Sequence, residues 1–399
     1  MKKIGFVIPW YGENIPGGAE MELREVTSHL QKAGADVEIL ATCVKDFTSD
    51  WNTNYYKPGM DNVGGIPVRR FKVKKRDTGV FDAVNAKLMK NELISIKEEE
   101  AFIENMVNST DLYEYIASHS NEYSFFVYIP YMFGTTYFGI RACPEKAVLI
   151  PCFHDEAYAY MTRFREAFAV VRGMIFNARP ELELAERLYD TSNVSKILMG
   201  IGMDTDISGD AERFRKKSGI EDPFILYCGR KDKGKNVDTL LRYFDEYRRR
   251  NNTNLRLVLT GGGKLDFPES SREYIHDLGF VDVQDKYDAQ TAAALLCQPS
   301  KNESFSLVIM ESWLCGRPVL VHSGCEVTKN FVRESDGGLY FADYFEFEGC
   351  VNYILKNEEI SRKMGLNGRG YVLENFSWDI IVEKYMNFFE KLESERISK

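Results

Sequence analysis

The chain has 399 residues, with 51 Lys plus Arg against 60 Asp plus Glu and a formal net charge of −9. At roughly 100 to 200 residues per domain that length predicts about two domains, and 44% apolar with 28% charged residues excludes a disordered, collagenous or repeat-tract chain. The net acidity removes the field that drives non-specific binding to a phosphate backbone, so no nucleic-acid partner is expected.

The eight cysteines (Cys43, Cys143, Cys152, Cys228, Cys297, Cys315, Cys325 and Cys350) are widely spaced with no C-x-x-C pair. They read as reduced thiols, neither a disulfide framework nor a zinc ribbon. The opening MKKIGFVIPW has a basic start but an apolar run of only about five residues, short of a signal h-region, and no run of ~18 uncharged apolar residues follows. The expected location is the cytoplasm, peripheral at most to the inner face of a membrane.

Taken in chain order, apolar runs alternate with amphipathic stretches. IGFVIPW (4–10) precedes a helical pattern over 20–34, and DVEILATC (36–43) follows. Further strand-like runs fall at 124–131, 146–152, 173–177 and 196–200, with a helical pattern at 180–190. Continuous apolar runs without polar alternation predict parallel strands covered on both faces. Around 203–223 the pattern becomes polar and turn-rich, which predicts an interdomain link. A second series follows: strand runs at 224–230 and 255–263, a helix at 237–251, apolar stretches at 289–299 and 306–316, and a strand run at 317–322.

The predicted fold is therefore α/β, two Rossmann-like doubly wound parallel-sheet domains, with boundaries at 1–203 and 204–376. The helical pattern over 377–395 is expected to pack back on the first domain. Domains of this kind bind ligands at the carboxyl ends of their strands, so a cleft between two of them is the expected site. No internal repeat of 20 to 50 residues is found.

Several residues stand where chemistry is expected. Gly17-Gly18 lies where the first strand turns into a helix; glycine amides and the positive helix N-terminus suit a phosphate, although a tight turn alone explains the pair equally. The turn matches neither a Walker loop nor G-x-G-x-x-G. In CGRKDKGKN, Arg230 and Lys235 flank a strand-to-helix turn and could neutralise a diphosphate, or simply be solvated surface. In PSKNESFSLVIMESW, Glu303 in a loop and Glu311 in the following helix could accept hydrogen bonds from sugar or ribose hydroxyls, or be exposed glutamates.

His154 follows the apolar run 146–152 at a strand-to-helix mouth, either a ligand contact or a structural histidine, with Asp155 as a helix cap. Consecutive His154, Asp155 and Glu156 cannot all face one ion, so no metal site is expected. RRFKVKKR (69–76) holds six basic residues in eight, which suits either anionic headgroups and phosphorylated acceptors or a guarded sheet edge. The aromatic-rich YIPYMFGTTYFG (128–139) lines either an acceptor cleft or the core.

Taken together, Gly17-Gly18-Ala19-Glu20 after the first strand, His154-Asp155-Glu156, G-R-x4-K-N at 229–236 and P-S-x2-E-S-F-S-L-V-x2-E-S-W-x2-G-x-P-V-L-V at 299–321 resemble glycosyltransferase family 4. The resemblance covers most of the chain and is strongest over 224–321. It implies the GT-B fold and retaining, metal-independent transfer from a nucleotide-sugar donor to a saccharide, lipid-linked or other hydroxyl acceptor. No cofactor is implied. Its residue roles are a Gly18 amide on the donor phosphates beside Gly17, Arg230 and Lys235 on the diphosphate, Glu303 on the transferred sugar and Glu311 on the ribose. Phe305, Ser306 and Leu307 would add donor contacts, and His154 would face the reacting side of the sugar.

Two positions depart from the family pattern. Serines 304 and 306 stand where glycines are frequent, which makes a positive φ less accessible, and Phe176-Asn177-Ala178 replaces F-N-S. A sugar phosphorylase on the same fold and a catalytically silent nucleotide- or sugar-binding protein are the alternative readings.

Overall fold

The computed structural model describes every residue except Asn14, Pro16, Ser398 and Lys399, and only the backbone of Arg396 and Ile397. The chain divides into two compact units, Met1–Gly202 joined by Trp378–Lys399, and Met203–Ser377.

The N-terminal unit opens with β1 (Lys3–Ile8), α1 (Gly18–Lys32), β2 (Val37–Thr42), β3 (Gly59–Val63) and β4 (Ile66–Phe71). It continues through α2 (Thr78–Leu88), α3 (Ile96–Glu104), α4 (Thr110–His119), β5 (Tyr123–Tyr128), α5 (Gly134–Ala142) and β6 (Ala147–Leu149). It closes with α6 (Thr162–Phe168), β7 (Gly173–Phe176), α7 (Arg179–Leu188) and β8 (Ser195–Leu198). These strands form an 8-stranded sheet in the order β3-β4-β2-β1-β5-β6-β7-β8. Every pair is parallel except β3 with β4, so one antiparallel edge strand departs from the all-parallel expectation.

Strands β1, β2 and β5 bury nearly every side chain, which is why they read as unbroken apolar runs. Each fully buried side chain such as Phe6, Phe126 or Leu40 contributes about 1.5 to 3 kcal/mol. Tyr128, Ile129, Tyr131 and Phe133 are buried in this core, so the aromatic stretch 128–139 is packing and not an acceptor lining.

The basic segment 69–76 is likewise not a sheet edge, because β3 covers β4. Much of its charge is met inside the unit. Arg69 Nε donates to buried Glu38 at 3.0 Å, Arg70 is buried against Asp61 and the Tyr11 carbonyl, and Lys74 pairs with Glu104. Arg76 lies over the Trp51 and Phe81 rings.

The C-terminal unit contains α8 (Ala211–Ser218), β9 (Phe224–Cys228), α9 (Val237–Arg250), β10 (Arg256–Thr260), β11 (Ile275–Asp277), α10 (Val283–Ala292) and β12 (Leu295–Gln298). It ends with α11 (Leu307–Leu314), β13 (Val319–His322), α12 (Glu326–Ser335), β14 (Gly338–Phe341), α13 (Tyr344–Lys356) and α14 (Glu358–Asn375). The stretch expected to be a link thus holds a helix. Asp210 caps α8 through the amides of Glu212 and Arg213, and Arg213 pairs with buried Asp288 of α10. The apolar stretch 289–299 is also not one element, because it spans the end of α10 and all of β12.

Helix α9 shows why the second series was readable. Val237, Leu240, Leu241, Phe244 and Tyr247 fall at three- and four-residue spacing and are its buried face. Basic Arg248, Arg249 and Arg250 fill its last turn, where the helix dipole favours them. The 6-stranded parallel sheet runs β11-β10-β9-β12-β13-β14.

The last helix, α15 (Trp378–Ile397), belongs to the N-terminal unit. Trp378 stacks on His29 of α1 with ring centroids 3.9 Å apart, and Phe389 packs on Phe125 of β5. Ser195 of β8 donates to Glu395 at 2.8 Å. Among the described residues, no helix is long and apolar enough to cross a membrane.

Candidate active site

Within the C-terminal sheet the strand order reverses between β9 and β12, so their connections leave in opposite directions and part at the carboxyl ends. In open α/β sheets this point is where ligands bind. The loop after β9 carries Arg230 and Lys235, and the loop after β12 carries Glu303. The structure brings two of these three together: Lys235 Nζ donates to Glu303 Oε1 at 2.7 Å, with side chains 25% and 11% exposed. Arg230 does not join them. Its side chain is 73% exposed and lies 3.5 Å from Asp232, so the expected pair of fixed cations is one fixed lysine and one solvent-facing arginine.

The loops are held by residues that sequence reasoning passed over. Asn236 takes φ 57°, donates from Nδ2 to the Pro299 carbonyl at 2.9 Å and accepts from Thr239 at 2.7 Å, tying the β9 loop to the β12 loop. Its signal was the residue itself, because asparagine tolerates the left-handed region better than other side chains do. Lys231 is buried against Asp277, and its amide donates to the Gly262 carbonyl at 2.7 Å. Gly261, at φ 108°, lets the next loop approach: a Cβ there would stand 2.1 Å from the Gly229 carbonyl oxygen.

Phe280, beyond β11, was also missed, and it is 87% exposed. His322 at the end of β13 is buried, and its Nδ1 accepts the Gly324 amide at 2.9 Å. Burial, followed by Lys301, lowers its pKa and keeps it neutral.

Ser306 caps α11 with φ 80° and ψ 75°. The positive φ that serine was expected to resist is adopted here, at a cost of about 1 to 2 kcal/mol. Phe305 turns inward against Phe331 and Phe376, which leaves its main chain at the helix entrance. Helix α11 therefore presents the amides of Leu307 and Val308 at its N-terminus, shortly after Glu303 in the chain, while the Ile309 amide donates to the Ser306 carbonyl at 3.1 Å. Glu311 is buried one turn further in, where it accepts from Lys286 Nζ at 2.6 Å and Gln290 Nε2 at 3.4 Å. A carboxylate has about four acceptor sites, so room for one ribose hydroxyl remains.

In the N-terminal unit, Gly18 is the first residue of the 15-residue α1, and a Cβ added to it would meet nothing within 4 Å. Gly17 caps the helix at φ 151°, and a Cβ there would stand 1.9 Å from Glu20 Oε2. The buried Glu20 carboxylate, which also accepts from Trp10 Nε1, already answers the positive end of the helix. A phosphate at this turn would compete with it.

His154 lies beyond the end of β6, in a half-buried loop. Asp155 does not cap a helix; it accepts from Arg187 at 2.7 Å and from the Tyr160 hydroxyl at 2.6 Å. The loop is anchored by Glu181, which accepts the amides of Phe153 and Asn177, each at 2.7 Å. Glu22 of α1 accepts from Asn177 Nδ2 at 2.9 and 3.1 Å. Burial raises the carboxyl of Glu22 to about 7 and that of Glu181 to about 8, because neither faces a compensating cation.

Residues 210–371 match the family model described as Glycosyl transferases group 1. A D-inositol 3-phosphate glycosyltransferase from Gordonia bronchialis is 25% identical over 238 residues, 55% of this chain and 52% of that protein. The chain spans about half the length of the curated relatives it matches. Among solved structures, sucrose-phosphate synthase from Thermosynechococcus elongatus is similar over 99% of this chain and 100% of its own, with a TM-score of 0.68 and 16% identity. Anabaena HepE in complex with UDP and glucose is similar over 98% and 100%, with a TM-score of 0.65 and 15% identity. The fold is of the GT-B class.

Proposed function

We propose that the protein is a glycosyltransferase of the family 4 type that moves a sugar from a nucleoside-diphosphate donor to a hydroxyl acceptor. The observation that carries this reading is the Lys235–Glu303 contact at the point where the C-terminal sheet reverses, shortly before the N-terminus of α11. A cation and a carboxylate held side by side suit a donor whose diphosphate and sugar adjoin: Lys235 answers the phosphates, and Glu303 accepts from sugar hydroxyls. The α11 amides of Leu307 and Val308 add dipoles for the phosphate charge, and Glu311 takes the ribose. Arg230, free to swing from solvent, completes the neutralisation on binding. The match over 210–371 and the UDP and glucose held by the HepE structure support the same donor class.

Breaking the anomeric bond drives negative charge onto the leaving diphosphate and positive charge onto the ring. Preorganised donors at the leaving group lower that barrier, each by about 10²- to 10³-fold in rate. In this reading Lys235, Arg230 and main-chain amides take the place of a divalent metal, and the acceptor attacks on the face the diphosphate leaves, so configuration is retained. To the N-terminal unit the proposal assigns the acceptor, with His154 toward the reacting face of the sugar and the Gly18 amide as a further phosphate donor once Glu20 yields. The acceptor is a saccharide or lipid-linked hydroxyl, as in polysaccharide assembly in the cytoplasm. Contact with an anionic membrane would fall to the cations of 69–76 that remain outward.

The test is a panel of UDP-, GDP-, ADP- and TDP-sugars scored by mass for hydrolysis or transfer. Turnover of at least one donor is expected; inertness toward all of them, or cleavage only with inorganic phosphate as co-substrate, contradicts the reading.

A further inference from the structure

Phe280 stands three residues beyond β11 and is 87% exposed, more than any other aromatic side chain among the described residues. No described ring pairs with it. A single exposed ring is ordinary on its own, but this one stands at the carboxyl end of a parallel sheet, where open α/β domains take their ligands.

The loops after β9, β10 and β11 are bonded into one layer there. The Lys231 amide donates to the Gly262 carbonyl and the Gly261 amide to the Gly279 carbonyl, each at 2.7 Å, and the Gly279 amide donates to Asp277 Oδ1 at 3.0 Å. The Phe280 ring lies against Gly262: a Cβ there would stand 2.7 Å from Cε2 and 3.0 Å from Cζ, so a side chain at 262 would displace the ring. One edge of the ring is therefore held by the β10 loop, and the rest of its surface is open.

The same end of the sheet holds the ribose acceptor of the donor reading. Helix α10 begins three residues after Phe280, and its Lys286 is the residue that donates to Glu311 at 2.6 Å. Strand β11 lies two strands from β9, about 10 Å at the usual strand spacing. Lys235, Glu311 and Phe280 thus offer a cation, a carboxylate and a flat apolar face, which match the phosphates, the ribose and the base of one nucleotide. A phosphate gains nothing from the open ring, whereas a conjugated base stacks on it.

We propose that Phe280 is the platform on which the donor's nucleobase stacks, a role that adds affinity without selecting the base, because every base presents a π-face. The inference rests on the glycosyl-transfer reading and deepens its donor half. It is tested on the full chain by titration calorimetry with UDP, GDP, ADP and TDP set against inorganic pyrophosphate, which carries the phosphates and no base. Phe280→Ala is expected to weaken every nucleotide that binds wild type about tenfold or more and to leave pyrophosphate affinity within about twofold. Its thermal midpoint should match wild type, because the ring lies outside the core. Phe280→Trp is expected to bind at least as tightly as wild type, and Phe280→Ile to stay near the alanine variant, which separates stacking from bulk. Nucleotide affinity unchanged in Phe280→Ala, pyrophosphate weakened in the same proportion, or full rescue by Phe280→Ile overturns the stacking role and leaves the donor reading standing. Binding of none of the four nucleotides to wild type refutes the donor reading and this inference with it.

Discussion

Lys235 Nζ stands 2.7 Å from Glu303 Oε1 although 68 residues separate the two in sequence. Helix α9 begins two residues after Lys235, and α11 four residues after Glu303, so each residue stands shortly before a helix. Adjacent strands β9 and β12 bring those loops together, and the Asn236 side chain ties one to the other. The side chains are only 25% and 11% exposed, so the pair is not a surface contact, and removing one partner leaves the other charge largely out of water without its counter-ion. Holding two ligand-facing groups in register is the more consequential effect.

Lys235→Ala and Glu303→Gln are therefore expected to keep a cooperative urea transition, at a cost of up to about 3 kcal/mol, while lowering transfer about 10²- to 10³-fold. Steady-state rates and denaturation curves on the same preparations check both halves. Either variant turning over at the wild-type rate removes that residue from the proposed machinery.

His154→Ala separates binding from chemistry. Because the proposal sets His154 at the reacting face of the sugar and not on the diphosphate, its loss is expected to spare nucleoside-diphosphate affinity while transfer falls at least tenfold. Titration calorimetry beside a transfer assay reads the two quantities. A parallel loss of nucleotide affinity would mean that the residue acts on the donor.

Metal removal is equally direct. With Lys235, Arg230 and amides answering the diphosphate, activity is expected to persist in excess EDTA and to gain little from added Mg²⁺ or Mn²⁺. Activity abolished by EDTA and restored by either ion contradicts the metal-independent assignment.

Ser306 offers a stability test. At φ 80° it bears the left-handed penalty, so Ser306→Gly relieves about 1 to 2 kcal/mol and returns roughly half of that in chain entropy. A variant equal to wild type or up to about 1 kcal/mol more stable is expected, with Ser306→Val clearly destabilised. A glycine variant markedly less stable than wild type would show that the hydroxyl, which accepts from Gln298 at 3.5 Å, outweighs the strain.

Glu22 and Glu181 fix the sign of a pH dependence. Their folded pKa values, about 7 and about 8, lie above the unfolded glutamate value, so the folded state holds more protons across that interval. Their contribution is fully present below roughly pH 4 and is lost as pH rises through about 7 to 8. Unfolding of the N-terminal unit is expected at lower urea at pH 8.5 than at pH 5.5, and Glu181→Gln should flatten that slope. A rising stability over the interval would contradict the shifts.

The fold was legible where one element buries a continuous apolar run, as in β1, β2, β5 and β9, or a clean stripe, as in α9. It was not legible where polar residues are satisfied by distant partners. The helix α8 hides among charges because Asp288 answers Arg213, and β4 looks like a basic edge because Glu38 and Asp61 answer its arginines. At the candidate site, the types and loop positions of Lys235 and Glu303 could be read directly, because strand ends and helix starts are local signals. The exposure of Arg230, the burial of Glu311 against Lys286 and the bracing by Asn236 depend on side-chain packing that no spacing reveals.

The most direct measurement is thermal protection of wild type and Lys235→Ala by UDP, GDP, ADP and TDP. Ligand at a hundredfold excess over its dissociation constant stabilises by about 2.7 kcal/mol, so at least one nucleotide should raise the wild-type midpoint by several degrees and leave the variant nearly unmoved. Equal protection of both proteins, or none for wild type with any of the four, contradicts the claim that the loops after β9 and β12 hold a nucleoside diphosphate.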